Sequence, residues 1–157
     1  MDEQWLRAFG GMTYGIYVLT VCHRDTINGM IASWVSQVSY DPPLVMVAVH
    51  PNRFSHRLIQ KSGTFCLHVL RRNQKDLLVR FKGPDPEAKF AGLAWWKGKT
   101  GCPVLKDCLG YLECTVRAMQ QPGNHTLFIG EVIEAQLFDR EEPLSTLDYE
   151  GRYTGRD

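Results

Sequence analysis

Residues 28–43 are the part of the chain best suited to hold a flat, polar ligand. They combine small side chains and hydroxyl groups, with Ala32 and Ser33 followed by Ser36 and Ser39. Backbone amides beside small residues can approach a ring closely, and serine hydroxyls can bond to polyol or phosphate oxygens. A strand with its hydroxyls on the solvent face explains the same composition, so the residues alone leave both interpretations open.

Residues 51–57 form a candidate anion site. Asn52 is a good N-cap for a helix to about Lys61, with Gly63 at its end. The first amides of a helix lack intrahelical partners and attract anions such as phosphate. Four neighbouring side chains add charge or hydrogen-bond donors: Arg53, Ser55, His56 and Arg57. An ordinary capped surface helix is the alternative.

His125 is the candidate catalytic residue. It follows the turn at residues 121–124 and begins a long β-rich segment. An imidazole there can donate to a ring carbonyl, stabilise negative charge on a reduced ring or meet a nicotinamide. A solvated turn histidine is the alternative.

Other chemistries lack support. The sequence has no G-x-S-x-G, H-E-x-x-H, P-loop or G-x-G-x-x-G motif, and its five histidines are scattered. The five cysteines lack the close pairs of zinc and iron–sulfur sites, so we predict free thiols that serve mostly as small buried hydrophobes. No metal site is predicted.

The elements that must position these residues are mostly strands. Periodicity and turn signals predict helices over residues 2–9, 52–61, 74–81 and 86–92, and strands over residues 14–22, 28–36, 44–49, 64–70, 109–119 and 125–138. The apolar run 44–49 suits a central strand buried on both faces. Many strands with few short helices indicate a mainly antiparallel β-barrel, and 157 residues suit a single domain over 1–157.

Charge and hydropathy limit the partners. The 18 basic and 17 acidic residues give a net charge of +1, and the basic residues are dispersed, so nucleic acid is not an expected partner. No apolar run approaches the roughly 20 residues that span a bilayer. The acidic N-terminus lacks the pattern of a signal peptide. We therefore expect no membrane association and a cytoplasmic location.

Three segments resemble the flavin reductase-like family. Residues 28–44 (NGMIASWVSQVSYDPPL) are similar to its signature stretch, residues 123–132 (GNHTLFIGEV) to its Gly-Asp-His strand, and residues 151–153 (GRY) to its C-terminal motif. Asn124 stands where the family usually has Asp. Residues 32–37, with residues 102–114, look most like flavoredoxins and the flavin reductase modules of flavodiiron proteins.

The resemblance implies an FMN-binding split β-barrel, antiparallel and Greek-key-like, that forms a homodimer with FMN near the subunit interface. FAD is a possible substitute for FMN. The implied flavin-binding residues are Asn28, Met30, Ile31, Ala32, Ser33, Trp34, Val35, Ser36, Ser39, Pro42, Asn52, Ser55 and His56. Of these, Asn52 and Ser55 are expected near the phosphate.

The implied function is an NAD(P)H:flavin oxidoreductase in which hydride passes from nicotinamide to flavin and His125 orients the donor or stabilises the reduced flavin. A flavoredoxin-like electron carrier, with tightly bound FMN and a redox protein partner, is the alternative. A flavin-storage barrel without turnover is a third possibility.

Overall fold

The computed structural model describes residues 1–151 and 153–155. Arg152, in the C-terminal GRY motif, lies outside the described residues. Within the described residues, four α-helices and nine strands follow one another: α1 Glu3–Gly10, β1 Tyr17–His23, β2 Thr26–Ala32, β3 Val35–Ser39, β4 Leu44–Val49, α2 Phe54–Ser62, β5 Thr64–Val69, α3 Asp76–Lys82, α4 Pro86–Phe90, β6 Trp95–Lys97, β7 Pro103–Leu105, β8 Gly110–Gln120 and β9 Thr126–Leu137.

Seven strands form one antiparallel sheet in the order β2-β1-β5-β8-β9-β4-β3. The chain passes from one edge strand, β2, to the other, β3, through only Ser33 and Trp34. Ala48 of β4 donates to the Trp34 carbonyl at 3.0 Å, which extends the pairing of β3 with β4 back to Trp34. The described edge strands β2 and β3 are not neighbours in the ladder, so the barrel is split where they diverge.

The barrel interior is filled by β-branched and aromatic side chains, as period-2 strands with one buried face require. Val21, Val47, Phe65 and Phe128 are fully buried there, and Ile59 of α2 packs against them. A second cluster joins α3 and α4 to the barrel through Leu78, Phe81, Phe90 and their neighbours. These two clusters fix α2, α3 and α4 around the end of β2.

The mainly β prediction is confirmed, with two local corrections. The predicted strand over 28–36 is two strands, because the chain leaves one sheet edge at Ser33 and joins the other. The predicted central strand 44–49 lies next to the sheet edge, and its residues alternate between buried and half-buried rather than being buried on both faces. The short hairpin β6–β7 was not predicted.

The helix ends follow local sequence. Asp2 accepts from the Gln4 amide at 2.7 Å and caps α1, and Gly63 ends α2 in the left-handed conformation at φ 69°. The prediction that Asn52 caps α2 is wrong. The N-cap is Arg53, which makes no side-chain capping bond, because the helix begins one residue later than expected.

Candidate functional site

A cavity of about 610 Å³ lies between β2, the start of α2, helices α3 and α4, and four residues of the C-terminal segment, Thr146, Tyr149, Gly151 and Tyr153. Its size falls within the range of about 300–1,000 Å³ that is typical of small-molecule sites. The described lining takes residues from the edge strand β2 and from the Ser33–Trp34 connection, and none from β3. Tyr149, Gly151 and Tyr153 bring the C-terminal segment across it.

One end of the cavity is built on a buried lysine. The Lys89 ammonium, on α4, donates to Asn28 Oδ1 at 2.9 Å and to the Gly29 carbonyl at 2.8 Å. Asn28 Nδ2 in turn donates to Ser55 Oγ at 2.9 Å. Both partners of Lys89 are neutral, so its positive charge is stabilised by dipoles and is available to attract an anion.

The cavity lining is basic. Besides Lys89 it includes His50, Arg53 and Lys82, and no Asp or Glu is found among the described lining residues. Lys82 is held beside Tyr149, where its ammonium hydrogen-bonds the hydroxyl and lies 4.4 Å from the ring centroid. Lysine and arginine side chains gathered in one lining favour a ligand with negative charge.

The opposite wall is aromatic. The Trp34 ring lies 5.2 Å from that of Tyr153 and 4.7 Å from the imidazole of His125, measured between centroids. His125 is only 5% exposed and is not among the described lining residues, so it lies behind Trp34 and Tyr153. His125 Nδ1 is 2.8 Å from Asn124 Oδ1, and Nε2 is 2.8 Å from the Tyr153 hydroxyl.

Burial sets the protonation of the site. It lowers the pKa of His125, and His50 and Arg53 lower it further. Burial, followed by His50, lowers the pKa of His56. The pKa of Lys89 is lowered by burial and then by Arg53, against a smaller opposite effect of Asp85. Near neutral pH both histidines are therefore neutral.

The cavity brings together most of the residues predicted to bind a cofactor. Those that line it are Asn28, Met30, Ile31, Ala32, Ser33, Trp34, Asn52 and Ser55. Asn28 of β2 donates to Ser55 in the first turn of α2, which holds these two segments together.

Five predicted residues lie elsewhere. Val35, Ser36 and Ser39 belong to the edge strand β3, and Pro42 is in the exposed turn that follows, all outside the described cavity lining. The buried His56 ring turns toward the barrel, where Nε2 is 2.8 Å from Thr126 Oγ1. For these five residues, flavin contact stays a prediction.

The sequence-based prediction missed Lys89 and His50. Lys89 is a lysine in a five-residue helix, and no periodicity marks it as buried. His50 follows β4, and its Nδ1 accepts from the Asn52 amide at 3.2 Å, a contact that depends on the turn geometry. In the sequence, only the position of His50 directly before the predicted anion site at residues 51–57 indicated a role for it.

The described cysteines and other potential metal ligands do not form a metal site. All five cysteines are free, and four of them are buried. Within residues 1–151 and 153–155 no group of three or more His, Cys, Asp or Glu side chains is placed to hold a metal ion. None of the described helices has the length and hydropathy of a membrane span.

The cavity combines lysine and arginine side chains with an aromatic wall, an arrangement that suits a flat ligand carrying negative charge. Residues 9–156 match the family model described as a flavin reductase like domain. The chain belongs to this flavin reductase-like family.

Two relatives of known name support this family membership. The reductase subunit HsaB of a flavin-dependent monooxygenase from Mycobacterium tuberculosis is 34% identical over 156 residues, which cover 99% of this chain and 83% of the relative. A flavin reductase from Pseudomonas putida is 32% identical over 157 residues, covering 99% and 91%. The predicted family and the predicted class of enzyme, a flavin oxidoreductase, are confirmed.

A solved structure shares the fold. The NADH:FAD oxidoreductase SgcE6 of Streptomyces globisporus C-1027, in complex with NAD and FAD fragments, superposes with a TM-score of 0.83 at 30% identity, covering 90% of this chain and 86% of that one. This likeness confirms the predicted fold class.

Proposed function

We propose that the cavity binds FMN as the flavin of an NAD(P)H:flavin oxidoreductase. Lys89 and Arg53, with Asn52 and Ser55, would hold the phosphate at the basic end. Ala32, Ser33 and Trp34 would lie against the ring system.

Three features of the cavity support this proposal. Its volume of about 610 Å³ suits a small cofactor. Its described lining pairs several cations with no carboxylate, which fits a phosphate of about two negative charges at neutral pH. The buried Lys89 is the observation that carries the proposal, because an ammonium taken out of water beside neutral partners is costly unless an anion joins it.

The chain's residues contribute binding and orientation. Bound flavin supplies the chemistry of accepting a hydride from a reduced nicotinamide and passing electrons on. Trp34 and Tyr153 form an apolar wall that keeps water from the ring. The neutral His125 imidazole supports that wall from behind, and through Tyr153 it positions the ligand.

An anaerobic titration tests the function. FMN is added to the purified chain, binding is followed by calorimetry, and NADH or NADPH is then mixed in while the flavin absorbance is recorded. We expect FMN to bind more tightly than riboflavin, which lacks the phosphate, and at least one nicotinamide to bleach the bound flavin. Equal affinities would contradict the phosphate site, and an unbleached flavin with both donors would contradict the oxidoreductase.

The same samples separate a reductase from an electron carrier. A reductase that treats flavin as a substrate releases it during gel filtration and turns over added flavin. A flavoredoxin-like carrier retains FMN and exchanges electrons with a redox protein. The HsaB relative is named as a subunit of a monooxygenase, which supports an oxygenase as the acceptor of reduced flavin.

We also infer a homodimer. Several large apolar side chains are exposed in the single chain, including Trp5, Val38, Met119 and Ile133. Such exposure supports an interface between subunits. Sedimentation equilibrium at the mass of one chain would contradict this inference. The free cysteines support the predicted cytoplasmic location, because thiols persist in reducing compartments.

A further inference from the structure

Asn124 joins the turn before β9 to the end of the chain. Its amide nitrogen Nδ2 donates to the Gly155 carbonyl at 2.9 Å. A carbonyl oxygen can only accept, so the atom that faces it must be the amide nitrogen. The orientation of the Asn124 side chain is thereby fixed, and Oδ1 faces His125 Nδ1 at 2.8 Å.

This orientation determines the tautomer of His125. Asn124 Oδ1 is an acceptor, so His125 Nδ1 must carry the proton. In a neutral ring Nε2 is then an acceptor, and the Tyr153 hydroxyl donates to it at 2.8 Å. Tyr153 has one hydroxyl proton, and this bond uses it. Toward any other group that meets it, the Tyr153 hydroxyl oxygen is therefore an acceptor.

We propose that Asn124 is a positioning residue that holds His125 as the Nδ1–H tautomer and thereby makes the Tyr153 hydroxyl an acceptor toward the ligand. The ligand group that meets Tyr153 is then a hydrogen-bond donor, such as a ring imide N–H or a carboxamide NH₂. This role for the ligand rests on the proposed function. The tautomer itself does not.

The surroundings of His125 agree with a neutral ring. Among the residues that the structure describes, the titratable and charged groups that face it are His50, with its ring edge-on at 5.1 Å, Arg53 and Tyr153. An Asp in place of Asn124 would put a carboxylate against Nδ1 and favour the imidazolium. The same carboxylate has no proton to donate to Gly155, so it would also break the tie to the C-terminal segment.

Histidine NMR on the full chain, before and after FMN is added, tests the proposal. Long-range ¹⁵N–¹H correlations report the tautomer of His125 and its titration midpoint, and a His125→Gln variant assigns the signal. Asn124→Asp is compared with Asn73→Asp, which makes the same change at an exposed residue between β5 and α3. Asn124→Ala removes both hydrogen bonds and is the second variant, should Asn124→Asp fail to fold.

The parent is expected to show the Nδ1–H tautomer. Asn124→Asp should raise the His125 midpoint by about 1–2 pH units, the usual effect of an adjacent opposite charge, whereas Asn73→Asp should match the parent. Asn124→Ala should mix the two tautomers and speed amide exchange at residues 153–155. The pH profile of flavin reduction should move with the NMR midpoint.

Two results would overturn the proposal: a parent ring protonated on Nε2, or an Asn124→Asp midpoint no higher than that of Asn73→Asp. A parent that neither binds FMN nor is reduced by nicotinamide, while its NMR behaves as expected, would overturn only the proposed function.

Discussion

Two buried histidines in this chain have different kinds of partners. His68, in β5, is fully buried, and its Nδ1 bonds the Val18 carbonyl at 3.0 Å while its Nε2 accepts from the Leu105 amide at 3.1 Å. His125 is nearly as buried, but both its nitrogens bond to side chains, those of Asn124 and Tyr153. The first ring is held by strand backbones, and the second is held by groups at a cavity.

The regions around the two rings differ in the same way. Beside His68 the hairpin β6–β7 is anchored by the buried Glu113, whose carboxylate accepts from the Lys99 and Thr100 amides and from the Thr100 hydroxyl. Backbone partners cannot leave without unfolding the sheet, so this region serves stability. At the cavity, ligand-facing groups are paired through side chains, which can respond to a ligand without loss of the fold.

The largest expected effect concerns His68. Burial lowers its pKa to about 4, and the bond to Val18 only partly opposes this. The unfolded chain takes up the proton near pH 6.5, whereas the folded chain does not until about pH 4. Unfolding free energy should therefore be highest above pH 6.5 and fall by about 3 kcal/mol on the way to pH 4. Urea unfolding at a series of pH values measures this.

His68→Gln removes the titration and should flatten this part of the pH dependence relative to the parent. His23→Gln, at the end of β1, is the matched control and should keep it. Parallel pH curves for His68→Gln and the parent would mean that His68 is not the group responsible, and the contrast between the two regions would lose its main support.

The second effect concerns Lys89 and tests the cavity region. Lys89→Met removes the charge and both donated hydrogen bonds, so FMN affinity should fall by about 10–100-fold, as expected for losing charge-assisted bonds. Riboflavin affinity should change less, because it has no phosphate. Calorimetry with both ligands measures the difference. Lys61→Met, exposed near the end of α2, is the control. Equal losses for FMN and riboflavin would place the phosphate elsewhere.

The comparison also explains what sequence could predict. Strand and helix positions follow from local patterns such as the Asp2 cap, the Gly63 helix end and the alternation in β8, so most elements were found. The resemblance pointed to residues that line the cavity because most of them fall in two short continuous segments, 28–34 and 52–55.

What was missed depends on contacts between distant parts of the chain. Lys89 meets Asn28 across 61 positions, and Tyr153 meets His125 across 28. Neither pair has a local signature. The partners of His68 could not be predicted either, because the sequence of an apolar strand does not indicate which distant backbone groups a histidine in it will bond. The break at Ser33 and Trp34 was missed because it depends on the strands with which β2 and β3 pair, which are β1 and β4 respectively.

The smallest effect compares one tyrosine in each region. Tyr153→Phe keeps the ring beside Trp34 but removes the hydroxyl that bonds His125, so FMN affinity should fall by only about threefold, the cost of one neutral hydrogen bond. Tyr111→Phe, whose ring packs on Trp96 and Phe138 at the hairpin, should leave the affinity unchanged. FMN titrations of both variants and the parent measure these changes in affinity. A larger loss of affinity in Tyr111→Phe than in Tyr153→Phe would contradict this ranking. It would show that side-chain packing at the hairpin affects the shape of the cavity through the paired strands β5 and β8.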